Sequence, residues 1–463
     1  MKQLLAYCLS IILCVSFTGC MENYLDLYPE DKITSASFPE NESDIKLLLN
    51  GVYAQLREKE VYNQGLFGFG ITDGATPNAF NWGTDEGFNK LGAGRLSSSD
   101  GGVVTYRWKR CYEIISRANY LLACMDLVDL SEEAKAKYSG ETHFLRGLAY
   151  SVLAETYGGV PIILTNISTE EARSLKRASL EETWQQALDD YEVAITNLGV
   201  DAPEPGRATK GAALGMKMRA YLYQGKYKEV LACVEQIDAL KKYGLFHSYE
   251  GLFDPANENN KEVLFDIQYI EGENSQGSYI DQYCGTGTGS WTRGSRYVPT
   301  DDLVAAYETI DGSPVDPENP YENRDPRLGF TAVLPGSYFL GYRFPNYLYP
   351  GGAFNHAGNR LKHLSTRKYR IQDESKLPPS GQSYINDIIL RYADVLLSKA
   401  EAIIETNGNV ADAIAILNRI RTERDDVKIS LLPTSMSREE AREKVRHERR
   451  IELALEGRYW SDV

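Results

Sequence analysis

The chain has 463 residues, of which 43% are hydrophobic and 25% are charged, and its formal net charge is −15 at pH 7. Such an acidic balance disfavours contact with nucleic acid phosphates and anionic lipid headgroups, so no nucleic acid partner is expected. The length exceeds the usual size of one hydrophobic core, although no Pro- or Ser-rich linker clearly divides the chain.

The first twenty residues have the pattern of a bacterial lipoprotein signal. Lys2 precedes an apolar run over residues 4–17 that is too short to cross a bilayer as a stable helix, and Thr18-Gly19 lead up to Cys20. The pattern predicts a signal peptide over residues 1–19 and lipidation of Cys20. The alternative is an ordinary secretory signal followed by a chance cysteine. Since each buried CH₂ group of an acyl chain contributes about 0.8 kcal/mol, the lipids would hold the protein to a membrane surface.

Four cysteines follow the signal, at Cys111, Cys124, Cys233 and Cys284. The first two fall in one predicted helix, which would separate them by about 20 Å and prevent a disulfide. No Cys-x-x-Cys pair is present and the histidines are scattered, so the sequence predicts no metal site of the zinc type. We expect buried free thiols.

Helical patterns begin after a tether over residues 20–44. Apolar residues at helical spacing predict a first helix near 43–57. A helix through Phe144 is expected to end at Gly158-Gly159. Helical segments are predicted at 103–158, 179–198, 207–240, 384–422 and 437–457, which is enough for about four helix pairs.

Two segments, 220–232 and 402–415, each combine a helix rich in small residues, a glycine turn and a second helix. This is the pattern of tetratricopeptide-like units, which must stack to bury their apolar faces. Helical periodicity fades over residues 245–380, where 263–269 reads as a short strand. The predicted fold class is therefore mainly α: a tetratricopeptide-like solenoid scaffold, about 45–240 and 384–463, with a large irregular loop-rich insert, about 245–380.

Short sequence blocks occur in order along the whole chain: Tyr24–Asp26, Arg117–Leu121, His143–Tyr150, Tyr157–Pro161, Asp254–Asn257, Lys261–Phe265, Asp325–Leu328, Leu390–Leu397, Ala400–Ala402, Leu417–Arg421, Glu448–Glu452 and Glu456–Arg458. Each block alone is weakly specific. Behind a lipoprotein signal and in this order, they resemble the SusD/RagB-like nutrient-binding outer-membrane lipoproteins.

The resemblance implies a tetratricopeptide-like scaffold over residues 45–463 with a variable, loop-rich face. It also implies a lipid-anchored position on the exterior of the outer membrane, with a SusC-like TonB-dependent transporter as the partner. The expected ligand is an oligosaccharide, with no catalytic activity and no cofactor. Members of the family usually continue past the segment that here reads Arg458–Asp462, so the resemblance implies a C-terminus that is cut short.

Arginines in the family blocks have a structural interpretation. Arg146, Arg391, Arg421 and Arg458 lie beside apolar helical positions. An arginine in such a place usually pairs with a carboxylate, such as Asp394 or Glu401, or with carbonyls at a helix end. We expect these side chains to support the scaffold rather than contact ligand.

Aromatic and planar polar residues concentrate in three loops, at 73–82, 279–293 and 338–349. Sugar rings need flat aromatic platforms together with polar partners, and burying one ring face contributes about 1–2 kcal/mol. These loops supply the predicted ligand-binding residues: Asp73, Asn78, Trp82, Tyr279, Tyr283, Trp291, Arg293 and Tyr342. The alternative is that the loop aromatics fill gaps against the scaffold.

Other functions remain open. The run Gly285–Gly289 lacks the Lys-Ser/Thr and strand–helix context of a phosphate loop, so a loop is expected there. The acidic stretch Asp311–Asn319 fails the EF-hand spacing, which leaves calcium as an alternative only. A surface-anchored glycoside hydrolase would need two carboxylates about 5–10 Å apart, and none of the 65 acidic residues stands out. A peptide-binding or scaffold protein of the same transport complex is the other alternative.

Overall fold

The computed structural model of the protein describes residues 38–57, 73–81, 87–97, 99–271, 277–278, 280, 297–344, 364–379 and 382–462. Over these ranges the chain is mainly helical with short strands, which confirms the predicted fold class. The helices before the insert are α1 (Glu42–Arg57), α2 (Phe88–Gly92), α3 (Gly101–Cys124), α4 (Glu132–Tyr157), α5 (Thr169–Ser174), α6 (Leu180–Asn197), α7 (Lys210–Leu222) and α8 (Tyr227–Ala239).

Later helices divide between the insert and the end of the chain. The insert carries α9 (Asp301–Ala306) and α10 (Pro326–Thr331), and the C-terminal part carries α11 (Tyr392–Glu405), α12 (Val410–Thr422), α13 (Arg438–Glu452) and α14 (Tyr459–Asp462). The described strands are β1 (Ala79–Asn81), β2 (Val263–Ile267), β3 (Tyr297–Pro299), β4 (Ala332–Val333), β5 (Tyr338–Phe339), β6 (Tyr342–Arg343), β7 (Ser365–Thr366) and β8 (Asp387–Arg391).

The long helices stack in order. Helix α3 packs on α4, α4 on α6, α6 on α7, α7 on α8, α8 on α11, and α13 on both α11 and α12. Their apolar faces merge into one continuous core that runs from Ile45 to Leu453, while a second core lies under the insert and includes Tyr249 and Tyr307. Neighbour-to-neighbour stacking of this kind is the solenoid arrangement.

Helix ends follow from local chemistry. Ser179 accepts a hydrogen bond from the Glu182 N–H while the Glu182 carboxylate accepts from the Ser179 N–H, and the same reciprocal cap begins α5 and α13. Gly158 ends α4 with a φ of 75°, and Gly225 turns the chain between α7 and α8 with a φ of 67°, as predicted. A glycine turn was also predicted after α11, but there the residue with a positive φ is Asn407, the neighbour of Gly408.

A pair of strands closes the base of the insert. Strand β2, which was predicted, pairs antiparallel with β8 from Val263↔Arg391 to Ile267↔Asp387. The prediction of helix over 384–422 is wrong at its start, because residues 387–391 are extended and buried against β2. Cys111, Cys124 and Cys233 are buried free thiols as expected, and Cys284 lies outside the described residues.

Within the described ranges, no helix is both long enough and apolar enough to span a membrane.

Candidate functional site

Two of the three predicted ligand loops have their bases side by side. Strand β1, within the first loop, pairs antiparallel with β3, the strand that follows the second loop. In this pair Asn81, the last residue of β1, lies opposite Tyr297, the first residue of β3. Trp82 therefore comes directly after β1 in the chain, and the second loop comes shortly before β3. The sequence places these two loops about two hundred residues apart, and the fold brings their bases together.

The third loop joins the same region through two further strands. The Thr366 hydroxyl on β7 donates to the Tyr297 carbonyl on β3 over 3.2 Å, and β7 pairs with β4. The hairpin of β5 and β6 then packs on β4 through a small apolar cluster that includes Val333 and Phe339. The three predicted loops therefore share one foundation of short, buried strands.

Asp73 and Asn78 do not face solvent. Both are 0% exposed. The Gly457 N–H donates to Asp73 Oδ2 over 2.8 Å, and Arg450 Nε donates to Asn78 Oδ1 over 2.7 Å. Burial raises the pKa of Asp73 to about 7, although the Gly457 hydrogen bond opposes the shift. We therefore reassign these two residues from ligand contact to tying the first loop to the C-terminal segment.

Most of the other predicted contacts cannot be placed by the structure. Tyr342 lies in β6, opposite Phe339, and the structure describes its backbone only. The remaining predicted residues lie outside the described residues, as does the predicted lipidation site: Trp82, Tyr279, Tyr283, Trp291, Arg293 and Cys20. These assignments stay predictions.

One exposed aromatic residue was missed by the sequence reasoning. Tyr338 on β5 is 66% exposed, whereas its neighbour Phe339 is 2% exposed and lies in the cluster under the hairpin. The side chains of a strand alternate between faces, so an outward tyrosine beside an inward phenylalanine is what a half-buried strand produces. The sequence shows an aromatic pair at Tyr338-Phe339, which is compatible with one outward and one inward side chain. Only the pairing with Tyr342–Arg343 shows that the segment is a strand.

Arginines form the buried polar centre of the scaffold, as predicted. Arg146 pairs with Asp190 at 2.7 Å, and Arg421 pairs with Glu448 at 2.9 Å. Arg391 donates five hydrogen bonds, to the carboxylates of Glu262, Glu452 and Glu456 and to the Glu452 carbonyl. The predicted partner Asp394 is instead used by other arginines, at 2.6 Å from both Arg219 and Arg449.

The insert is anchored to this centre by charge. Arg327 reaches Glu448 and Glu452 on α13, and Lys368 donates to Glu456. Burial alone would raise the pKa of the Glu452 carboxyl, but Arg424, Arg391 and Arg327 together hold it well below its usual range. Burial lowers the pKa of Lys368 to about 8, although Glu456 opposes the shift. These ion pairs fix the base on which the loops stand.

The acidic stretch considered for calcium uses its carboxylates locally. Asp311 Oδ1 accepts from the Ser313 N–H and from Asn323 Nδ2, and Asp316 accepts from the Glu318 N–H and from Asn319 Nδ2. Such hydrogen bonds to the backbone two residues on are those of Asx turns, and they explain the acidic, turn-rich composition without a cation.

Two family descriptions match the chain. Residues 261–463 match the SusD family, and residues 23–222 match a family described as starch-binding and associating with the outer membrane. Among known proteins, SusD-like protein P25 of Formosa agariphila is 25% identical and aligns with 98% of this chain and 88% of its own length. A SusD-like protein of Bacteroides ovatus is also 25% identical, over 96% of this chain and 80% of that protein.

Solved structures share this fold over most of the chain. A SusD-like carbohydrate-binding protein from Bacteroides fragilis has a TM-score of 0.80 at 28% identity, covering 90% of this chain and 85% of that chain. A second SusD-like protein from the same species has a TM-score of 0.80 at 27% identity, covering 94% and 88%. A laminarin-binding SusD-like protein has a TM-score of 0.69 at 21% identity over 91% of both chains, and this likeness shows the fold alone.

Proposed function

This chain belongs to the SusD family, a carbohydrate-binding family associated with the outer membrane, and we propose that it is a cell-surface lipoprotein that captures oligosaccharide. The ligand in this proposal is a starch-type or other glycan nutrient. The protein delivers it to a partner SusC-like TonB-dependent transporter, and lipid on Cys20 anchors it to the outer membrane with the loops facing the exterior.

The shared base of short strands beneath the three predicted loops supports this proposal most directly. The pairing of β1 with β3 joins the strand that precedes Trp82 in the chain to the strand that follows the loop containing Trp291, and the hairpin with exposed Tyr338 packs on the adjoining strands. A long sugar chain needs several aromatic planes within its own length, because each stacked ring contributes only about 1–2 kcal/mol. Loops with a common base can supply several planes to one ligand.

Binding rather than catalysis is proposed for this surface. The buried carboxylates on α13 are engaged by arginines: Glu452 contacts Arg327, Arg391 and Arg424, and Glu448 contacts Arg421. The arginines hold the pKa of Glu452 well below its usual range, so this carboxylate stays ionised and cannot donate the proton that a glycoside hydrolase needs from its acid. Any catalytic pair would have to come from other acidic residues, and none is proposed.

A binding assay on the chain without its first 20 residues tests the proposal. Titration with a panel of oligosaccharides should show binding of at least one glycan class without release of reducing ends. The double change Trp82→Ala and Trp291→Ala should weaken that binding at least about tenfold, since each ring face contributes about 1–2 kcal/mol.

Trp460→Ala is the matched control, because Trp460 is 39% exposed on α14 and belongs to none of the three loops. It should leave glycan affinity unchanged. Release of reducing ends would contradict the receptor proposal in favour of a hydrolase. Undiminished binding by the double variant would contradict the choice of site, and binding of peptides but of no glycan would favour the peptide-binding alternative.

A further inference from the structure

A cavity of about 330 Å³ opens on the helical scaffold. Three segments from the interior of the chain form its walls: residues 201–209 between α6 and α7, Lys242-Tyr243 after α8, and residues 259–266, which lead into β2. All of these residues are described by the structure, and none belongs to the three loops predicted to bind sugar. Ligand sites in proteins commonly have volumes of about 300–1,000 Å³, so this cavity can hold a small ligand.

Contacts between the segments fix the walls of the cavity. The Gly244 N–H donates to the Lys261 carbonyl over 3.1 Å and joins the second segment to the third. Gly206 of the first segment lies so close to Gln268, which follows β2, that a Cβ at this glycine would be 2.3 Å from the Gln268 Cγ. Walls that are already in place reduce the ordering cost of binding a ligand.

Tyr243 supplies an aromatic wall, and Pro203 and Pro205 add further apolar surface. The Tyr243 hydroxyl lies 3.2 Å from the Thr209 hydroxyl, and this hydrogen bond holds the ring in position between the first and second segments. A sugar ring has an apolar C–H face that gains by packing against an aromatic ring. The cavity therefore has the kind of surface on which one sugar ring can lie.

Exposed charged groups line the same cavity. Asp201 and Lys242 form an ion pair at 2.8 Å, and their side chains are 89% and 31% exposed. Lys242 also donates to the Val200 carbonyl over 2.7 Å, so one of its three N–H donors remains for a ligand. Lys261 is exposed and forms no ion pair with any described residue. A ligand can therefore reach these groups without breaking the hydrogen bonds of the fold.

The balance of charge narrows the class of ligand. Three cations and three acids line the cavity: Arg207, Lys242, Lys261, Asp201, Glu204 and Asp266. A charged ligand would be attracted by three of these groups and repelled by the other three, so little electrostatic gain would offset its desolvation. A sugar is neutral, and each of its hydroxyl groups both donates and accepts hydrogen bonds. It can therefore bind the ammonium of Lys242 and the carboxylate of Asp201 together.

We propose that this cavity is a second saccharide site, which takes one or two residues of a neutral glycan. One face of a sugar ring packs on Tyr243, and the hydroxyl groups bind Asp201, Lys242 and Lys261. This site is additional to the three loops, so it goes beyond the function proposed above and does not depend on sugar binding by those loops. Because one sugar ring buries little apolar area, we expect dissociation constants in the millimolar range.

Isothermal titration with neutral disaccharides tests this proposal, with the Trp82→Ala and Trp291→Ala variant as the background in which the loops contribute least. The probes are maltose, cellobiose, laminaribiose and xylobiose, and at least one should bind in the millimolar range. Tyr243→Leu removes the flat ring and should weaken this binding at least about fivefold. Because Tyr243 is half-buried, its replacement is also checked by the unfolding midpoint, and the exposed Asp201 provides a second variant.

Asp201→Ala should weaken disaccharide binding by about three- to tenfold, because the sugar loses a charged acceptor. The unfolding midpoint should not change, since this side chain is 89% exposed. Asp126→Ala is the matched control: Asp126 is 72% exposed, pairs with Lys135 at 2.6 Å and does not line the cavity. It should leave disaccharide binding unchanged.

Three results would overturn the proposal. One is the failure of all four disaccharides to bind, and another is equal affinity of the Asp201→Ala and Asp126→Ala variants for the disaccharide. The third is di-alanine binding that Asp201→Ala weakens to the same extent, because the cavity would then not select saccharide. Longer glycans are measured separately on the protein with both tryptophans in place, so this proposal and the function proposed above can fail independently.

Discussion

Replacing Arg391 by methionine should destabilise the protein by about 3–5 kcal/mol, the range for removing one partner of a buried ion pair. Arg391 is 1% exposed, and its guanidinium donates to three carboxylates and one carbonyl. The change would leave Glu262 and Glu452 paired with Arg424, and Glu456 paired with Lys368. Each carboxylate keeps a cation but loses hydrogen bonds, so the cost should stay within this range rather than reach the full cost of an isolated buried charge.

Urea unfolding, followed by tryptophan fluorescence and by circular dichroism, would measure the loss, and agreement between the two signals would justify a two-state analysis. Arg419→Met is the control, because Arg419, on the last turn of α12, forms a partly exposed pair with Glu423, the residue that follows this helix. That pair should contribute only about 0.3–0.5 kcal/mol. If Arg391→Met lowered the unfolding free energy by no more than Arg419→Met does, the reasoning about the buried cluster would be refuted.

Two further predictions concern backbone packing and pH. Gly159→Ala should lower the free energy of unfolding by about 1–3 kcal/mol, because its new Cβ would lie 2.1 Å from the Ala178 carbonyl oxygen. The control is Gly199→Ala, where the nearest atom to the new Cβ is 3.5 Å away. This change should lower the free energy of unfolding much less in the same urea assay. Burial raises the pKa of Asp266 to about 6, although Gln268 and Asn386 donate to it, so its contribution to stability is present at low pH and is lost as the pH rises through about 6. The part of the unfolding free energy that comes from Asp266 should therefore fall between about pH 4 and pH 7, and Asp266→Asn should reduce that fall by on the order of 2 kcal/mol; an unchanged pH dependence would contradict this assignment.

Local patterns in the sequence predicted the helices because their signals lie within a few residues. The stop of α4 at Gly158 and the turn at Gly225 follow from glycine at a positive φ, and both were predicted. The strand at 387–391 was missed because its run Ile388-Ile389-Leu390 leads straight into α11, and only the distant partner β2 makes it extended. Local periodicity carries no information about such a partner.

The site shows the same limit of sequence reasoning. The composition of three loops indicated a common surface, and the pairing of β1 with β3 brings two of their bases together. Asp73 was assigned to ligand because it is a planar polar residue in an aromatic loop, whereas the structure buries it against Gly457, which is 384 residues away in the chain. The kind of partner that Arg391 needs was likewise predictable, but Glu262, 129 residues away, was not.

The pairing of β2 with β8 holds the two ends of the insert together. Because Ile267 lies opposite Asp387, the segment between them departs from the scaffold and returns to it at neighbouring points. A differently sequenced insert could therefore be transplanted onto the same stack of helices, provided that it kept counterparts of Arg327 and Lys368 for the acids of the C-terminal segment. Such modularity would allow evolution to change the ligand that the insert binds while the stack of helices stays the same.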